Sequence, residues 1–172
     1  MALSRLGHKY IVLFFLLSTS LLFYLIMFKV NPELDGSKGF EVIQLQLTFS
    51  VSKAQQIVTS WSDLSVEKFE YAMMLDSLYA LSYGIFFTSL VSYVLHLKNM
   101  LETNYRYLIY LPFCASALDW IENAIEVVFI NSLASISTTL FFFHSVAAIL
   151  KWLCLPLLLL FILLLLKKKS TQ

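Results

Sequence analysis

Apolar residues in this chain gather into four long runs, at about 10–28, 71–95, 107–130 and 140–166, separated by short polar links and one longer loop at about 30–70. A helix of about 20 apolar residues crosses a hydrocarbon core. Lipid offers no partner to a free backbone N–H or C=O, so each run is expected to be helical. The expected fold class is an all-α integral membrane protein, a four-helix transmembrane bundle forming a single membrane domain over residues 1–172.

The loop at 30–70 is too long for a plain linker. Asn31-Pro32 and Asp35-Gly36-Ser37-Lys38-Gly39 are turn formers. Leu45, Leu47 and Phe49 then alternate with polar neighbours, which predicts a short strand. Ser50 or Ser52 is placed to cap a helix carrying Ala54, Ile57, Val58 and Trp61 at helical spacing. The loop is therefore expected to form a small strand-plus-helix extracytoplasmic cap, lying on the bundle mouth or presenting a partner surface. Trp61, Phe69 and Tyr71 fit an interfacial aromatic belt.

Lys and Arg in the flanks set the orientation. One side receives Arg5, Lys9, Lys98, Arg106, Lys167, Lys168 and Lys169; the other receives Lys29, Lys38, Lys53 and Lys68. Both termini are expected in the cytoplasm, with 30–70 and 131–138 outside and 96–106 inside. Arg5, His8 and Lys9 resemble the start of a signal peptide. The following run lacks a small-residue cleavage site, so an uncleaved first span is expected.

Composition agrees with this pattern. The 172 residues are 59% hydrophobic and 13% charged, against about 25% charged for soluble domains. A net charge of +1 supplies no field for nucleic acid, so the lipid bilayer is the expected surrounding and no nucleic-acid partner is expected. Cys114 and Cys154 lie in apolar runs without the C-x-x-C spacing of redox or zinc sites, and read as small apolar fillers.

The third run breaks its own pattern with Leu118-Asp119-Trp120-Ile121-Glu122-Asn123, followed by Glu126. Residues 119, 122 and 126 share one helix face, with Asn123 beside it. Pro112 and small Ala115 continue the face inward. In span two, Asp76, Tyr79 and Tyr83 also share a face, and Gly84 permits close backbone approach. In span four, His144 and Lys151 share a face, with Ala147 and Ala148 between them. All three faces favour the outer half of the membrane; the inner half is expected to be nearly apolar. The acids of span three cost roughly 6–9 kcal/mol to insert, against about 5 kcal/mol returned by its apolar residues. Beside span four, Lys151 is placed to neutralise Asp119 or Glu122, and an unpaired carboxyl is expected to carry a proton.

Asp76, Tyr79, Tyr83, Asp119, Glu122, Asn123, Glu126, His144 and Lys151 are therefore the candidate ligand-binding or relay residues. Each has a plainer role open to it: Lys151 in a structural ion pair, Glu126 and Asp76 solvated, His144 packed, the tyrosines bonded to carboxyls. No catalytic residue, metal site or cofactor is assigned. His144, Glu126 and Asp76 have suitable donor types for a divalent ion, but one His and scattered carboxylates are a thin pattern. No H-E-x-x-H, G-x-x-x-x-G-K or G-x-S-x-G motif occurs.

Three functions remain open. The first is an outward-opening acidic site that binds or translocates a proton, a cation or a small ligand; four spans are few for a carrier, so a homo-oligomer or a membrane-protein partner is expected with it. The second is an intramembrane enzyme using carboxylate acid/base catalysis on a lipid-like substrate, an architecture similar to that of the emopamil-binding sterol isomerases. The third is an assembly subunit whose polar faces are interhelical glue. The loop ending in a Trp-bearing helix, Asp76-x-x-Tyr79-x-x-x-Tyr83-Gly84 and Asp119-x-x-Glu122-Asn123 together resemble a group of small four-span bacterial membrane proteins. The resemblance covers about residues 40–130. It implies the bundle fold and a bacterial plasma-membrane location, and no activity.

Overall fold

The computed structural model describes residues 8–30, 39–133 and 136–167. Six α-helices are found there: α1 (Lys9–Leu25), α2 (Gly39–Leu47), α3 (Val51–Thr59), α4 (Asp63–Leu97), α5 (Leu111–Asn131) and α6 (Thr138–Lys167). A π-helical end, Ile26–Val30, follows α1, and a 3₁₀ segment, Asn104–Tyr110, leads into α5. The turn formers at 31–38, together with Arg5, Lys168 and Lys169, lie outside the described residues.

Three of these helical segments are long and apolar enough to cross a membrane: Lys9–Val30, Asp63–Leu97 and Thr138–Lys167. The expectation of four is not met on that measure. The third run forms the 21-residue helix α5, but Asp119, Glu122 and Glu126 make it too polar to qualify by composition. The expected strand is also corrected. Gln44, Leu45 and Leu47 lie in helix α2, Phe49 lies just beyond it, and the described residues contain no strand. A lone strand of this length has no ladder partner, whereas a helix pairs its own backbone groups. The buried positions of α2, Leu45 and Gln46, with Val42 half-buried, follow helical spacing. Leu47 and Phe49 are exposed.

Local chemistry fixes the other boundaries. Ser50 caps α3, its Oγ accepting from the Lys53 N–H at 3.3 Å. Ser62 caps α4 in the same way through Ser65 N–H at 3.2 Å. Such caps occupy orphan donors of the first turn. Trp61 stands in the link between these helices, where its indole N–H donates to Glu41 Oε2 at 2.8 Å. At the far end of α4, Asn99 takes a left-handed φ of 56°. Met100 N–H then bonds Leu95 C=O at 2.8 Å and Asn99 N–H bonds His96 C=O at 3.1 Å, a Schellman closure. Met100 and Leu95 are buried in one apolar cluster.

Helix α5 packs against both α4 and α6, and α1 packs against α4. Apart from its π-helical end, α1 buries no residue. Its polar tie to α4 is Thr19 Oγ1 to Ser82 Oγ, at 2.9 Å. Two apolar clusters flank the middle of the molecule. One contains Leu45, Ala54, Val58, Phe69, Phe129 and Phe141. The other contains Val91, Leu95, Ile109, Leu158, Ile162 and Leu165. Cys114 and Cys154 are both free thiols.

Candidate functional site

Small residues bring three helices close enough for their polar groups to meet. Ser116 Oγ donates to the Ala80 C=O at 2.8 Å, closing the seam between α4 and α5. Gly84 sits against that seam. A Cβ at this position would lie 2.9 Å from Ser116 Cβ, so the close approach requires glycine. On the other side of α5, buried Ala147 and Ala148 let α6 come near.

Between the two apolar clusters lies a polar layer. Lys151 Nζ reaches Asp119 Oδ1 at 2.8 Å and Glu122 Oε2 at 2.7 Å. It pairs with both acids, because carboxylates three residues apart on one helix face straddle a single ammonium. Tyr83 O–H donates to Asp119 Oδ2 at 3.0 Å, so both oxygens of Asp119 are engaged. One turn along α5, Glu126 Oε1 lies 3.0 Å from His144 Nε2. The Phe141 ring stacks over His144 with centroids 5.0 Å apart, and Phe129 packs on Phe141.

Asp76 does not join Glu126. Its Oδ2 accepts from Asn123 Nδ2 at 2.9 Å, about 4.5 Å along α5 from the level of Glu126. The trio His144, Glu126 and Asp76 is therefore not assembled as one ligand set. Tyr79 contributes rings rather than a carboxyl contact, lying edge-on to Tyr83 at 5.3 Å and near Phe23 at 6.2 Å.

Most of the nine candidate residues converge, but the arrangement is closed. Asp119, Glu122, Asn123, Glu126, His144 and Lys151 are each no more than 6% exposed. The expected outward opening is covered by the apolar cluster that includes Phe129 and Phe141. The segment after α2 and helix α3 are tied down over it: Ser145 Oγ donates to the Thr48 C=O, and Gln55 Nε2 to the Leu133 C=O at 2.6 Å. The physical reason is the apolar face of α2 and α3, which the sequence pattern could not position.

Several participants carried little signal in the sequence. Ser77 receives Asn123 Nδ2 at 3.4 Å, and its carbonyl accepts the Trp120 indole N–H at 2.9 Å. The part of α4 beyond Tyr83, expected to be nearly apolar, also buries Thr88, Ser89 and Ser92. Their spacing on α4 was readable, but hydroxyls are common on apolar helices and did not stand out.

Charge and hydrogen bonding are unevenly satisfied. The layer holds four carboxyl groups, those of Asp76, Asp119, Glu122 and Glu126, and one ammonium, that of Lys151. Both oxygens of buried Glu122, with Glu126 Oε2, Asn123 Oδ1, His144 Nδ1 and, further along α4, Ser89 Oγ, have no hydrogen-bond partner among the described residues, so Lys151 meets Glu122 as an ion pair only. Buried polar groups are normally paired, so this corner of the layer is held under-satisfied. The ligand-capable atoms of Glu122, Glu126 and His144 lie within 4.8 Å of one another. Comparison with protein-family models, curated proteins and solved structures finds no match.

Proposed function

We propose that this is a multi-pass membrane protein whose polar layer binds a small cation, proton or metal ion, and passes it across the bilayer. In this reading α1, α4, α5 and α6 all cross, with both termini cytoplasmic. The crossing of α5 is supported by the direction its side chains face. Its three acids point into the protein, whereas Trp120, Ile121 and Val128 are about half exposed. A helix with its charges turned inward and its apolar residues outward suits lipid. At 1.5 Å per residue its 21 residues span about 31 Å, close to the thickness of a hydrocarbon core.

The observation that carries the reading is the charge balance. Four buried or half-buried carboxyls face one ammonium. An uncompensated buried charge costs several kcal/mol, so the carboxyls that Lys151 does not pair hold a proton or meet a bound cation. Further along α4, the hydroxyls of Thr88, Ser89 and Ser92 are also buried. The apolar cap closes the outer end in this conformation, as an alternating-access site requires of one of its states.

The test is flux into proteoliposomes under imposed gradients of H⁺, Na⁺, K⁺ and Mn²⁺, each in turn. The wild type is expected to carry at least one of them, and Glu126→Gln to lose that flux. Leakage no greater than in protein-free vesicles for all four ions would remove the proposal. The topology is checked separately by reporter fusions. A C-terminus found outside would overturn the assigned orientation.

A further inference from the structure

Building on the cation-binding reading, we propose that Glu122, Glu126 and His144 form a site for one divalent first-row transition-metal ion, with Lys151 and Asp119 bracing it from outside the ligand set. Glu122 and Glu126 are four residues apart on α5, so their side chains rise from one helix face. His144 comes to them from α6. All three residues are fully buried.

The distances suit an ion. Oxygen and nitrogen ligands sit about 2.0–2.2 Å from a divalent metal, so neighbouring ligands in an octahedral set lie about 3.0 Å apart and opposite ones about 4.4 Å. Glu126 Oε1 and His144 Nε2 are already 3.0 Å apart. The whole group falls within 4.8 Å, which leaves a few tenths of an ångström for side chains to close.

A second observation, independent of that clustering, points the same way. Glu122 Oε1 and Glu126 Oε2 are buried and accept no hydrogen bond among the described residues. Lys151 holds the other oxygen of Glu122, Oε2, at 2.7 Å. The ammonium therefore fixes the Glu122 carboxylate in place and leaves Oε1 available. A divalent ion would also supply two of the positive charges that four carboxyls and one ammonium lack.

The donor set selects the ion class. Two carboxylates and one imidazole suit Mn²⁺, Fe²⁺, Co²⁺ or Zn²⁺. Ca²⁺ and Mg²⁺ favour all-oxygen surroundings. Cu⁺ favours thiolate or thioether sulfur, and neither cysteine belongs to the group. Three protein ligands leave coordination positions for water or for an anionic group carried with the ion.

The experiment uses the full chain in detergent, stripped with chelator and titrated with Co²⁺, whose visible absorption reports its ligands. The expected result is one equivalent bound by the wild type. Glu126→Gln and His144→Gln should each weaken binding at least ~100-fold, the upper end of what loss of an outer-shell partner alone costs. Both replacements retain a hydrogen bond across the 126–144 contact, and thermal melting of each variant confirms that it is folded. Failure of the wild type to bind Co²⁺, or binding by both folded variants as tight as the wild type's, overturns the metal site. If Co²⁺ fails to bind while the proteoliposomes still carry H⁺, Na⁺ or K⁺, the metal assignment falls alone; if no ion is bound or carried, the cation reading falls with it.

Discussion

The two halves of the polar layer are built from similar residues and treated differently by the fold. Around Lys151, both oxygens of Asp119 and one of Glu122 are engaged by Lys151 and Tyr83. Around His144, one short contact to Glu126 is made while Glu126 Oε2, Glu122 Oε1 and His144 Nδ1 are left without hydrogen bonds. Neither half is fully hydrogen-bonded, since Glu122 Oε2 meets Lys151 only as an ion pair, but the half without a cation is the costlier to hold and implies another role. The Lys151 half thus reads as the clamp between α5 and α6, and the His144 half as the part that meets a ligand.

That contrast can be broken by mutation. Lys151→Met has the largest expected effect, because it strands two buried carboxylates; losing one partner of a buried pair costs about 3–5 kcal/mol. Combining it with Asp119→Asn and Glu122→Gln should recover much of the loss, as read by unfolding in detergent. Strictly additive effects would mean that Lys151 does not clamp these acids. Gly84→Ala comes next. It forces a methyl against Ser116 Cβ at 2.9 Å and should cost about 1–3 kcal/mol, as overpacking does. The companion change Ser116→Gly should relieve it, and a failure to do so would show that the seam is not tight there. Glu126→Gln should change stability least, by under about 1 kcal/mol, since the amide keeps a hydrogen bond to His144. Loss of stability comparable with that of Lys151→Met would make the His144 half structural too, and the contrast would disappear.

Much of the site was legible along the chain. Residues 119, 122 and 126 had to share a face of α5 once that run was helical, and His144 had to share one with Lys151. Gly84 and Ala115 were recognisable as close-contact positions for the same local reason. Pairings across helices were not legible. Asp76 meets Asn123 rather than joining Glu126 and His144, and Lys151 joins two acids instead of choosing one, because the register of α4, α5 and α6 follows from how small residues let them interlock. The strand expectation at 44–49 failed where alternation and helical spacing overlap in a short run. Only packing in one cluster with Ala54, Phe129 and Phe141 selects which side of that segment is buried.

By itself, the amino-acid order determined three long apolar helices, a fourth interrupted by acids, and the faces on which those acids lie. These are consequences of backbone hydrogen bonding and the helical repeat, which act within a few residues. Tertiary structure alone decided that the acids are sealed under an apolar cap, that one ammonium serves two carboxylates, and that Glu122 and Glu126 converge on His144. Those outcomes depend on the distance and offset between helices far apart in the chain, which close packing sets and local periodicity does not carry.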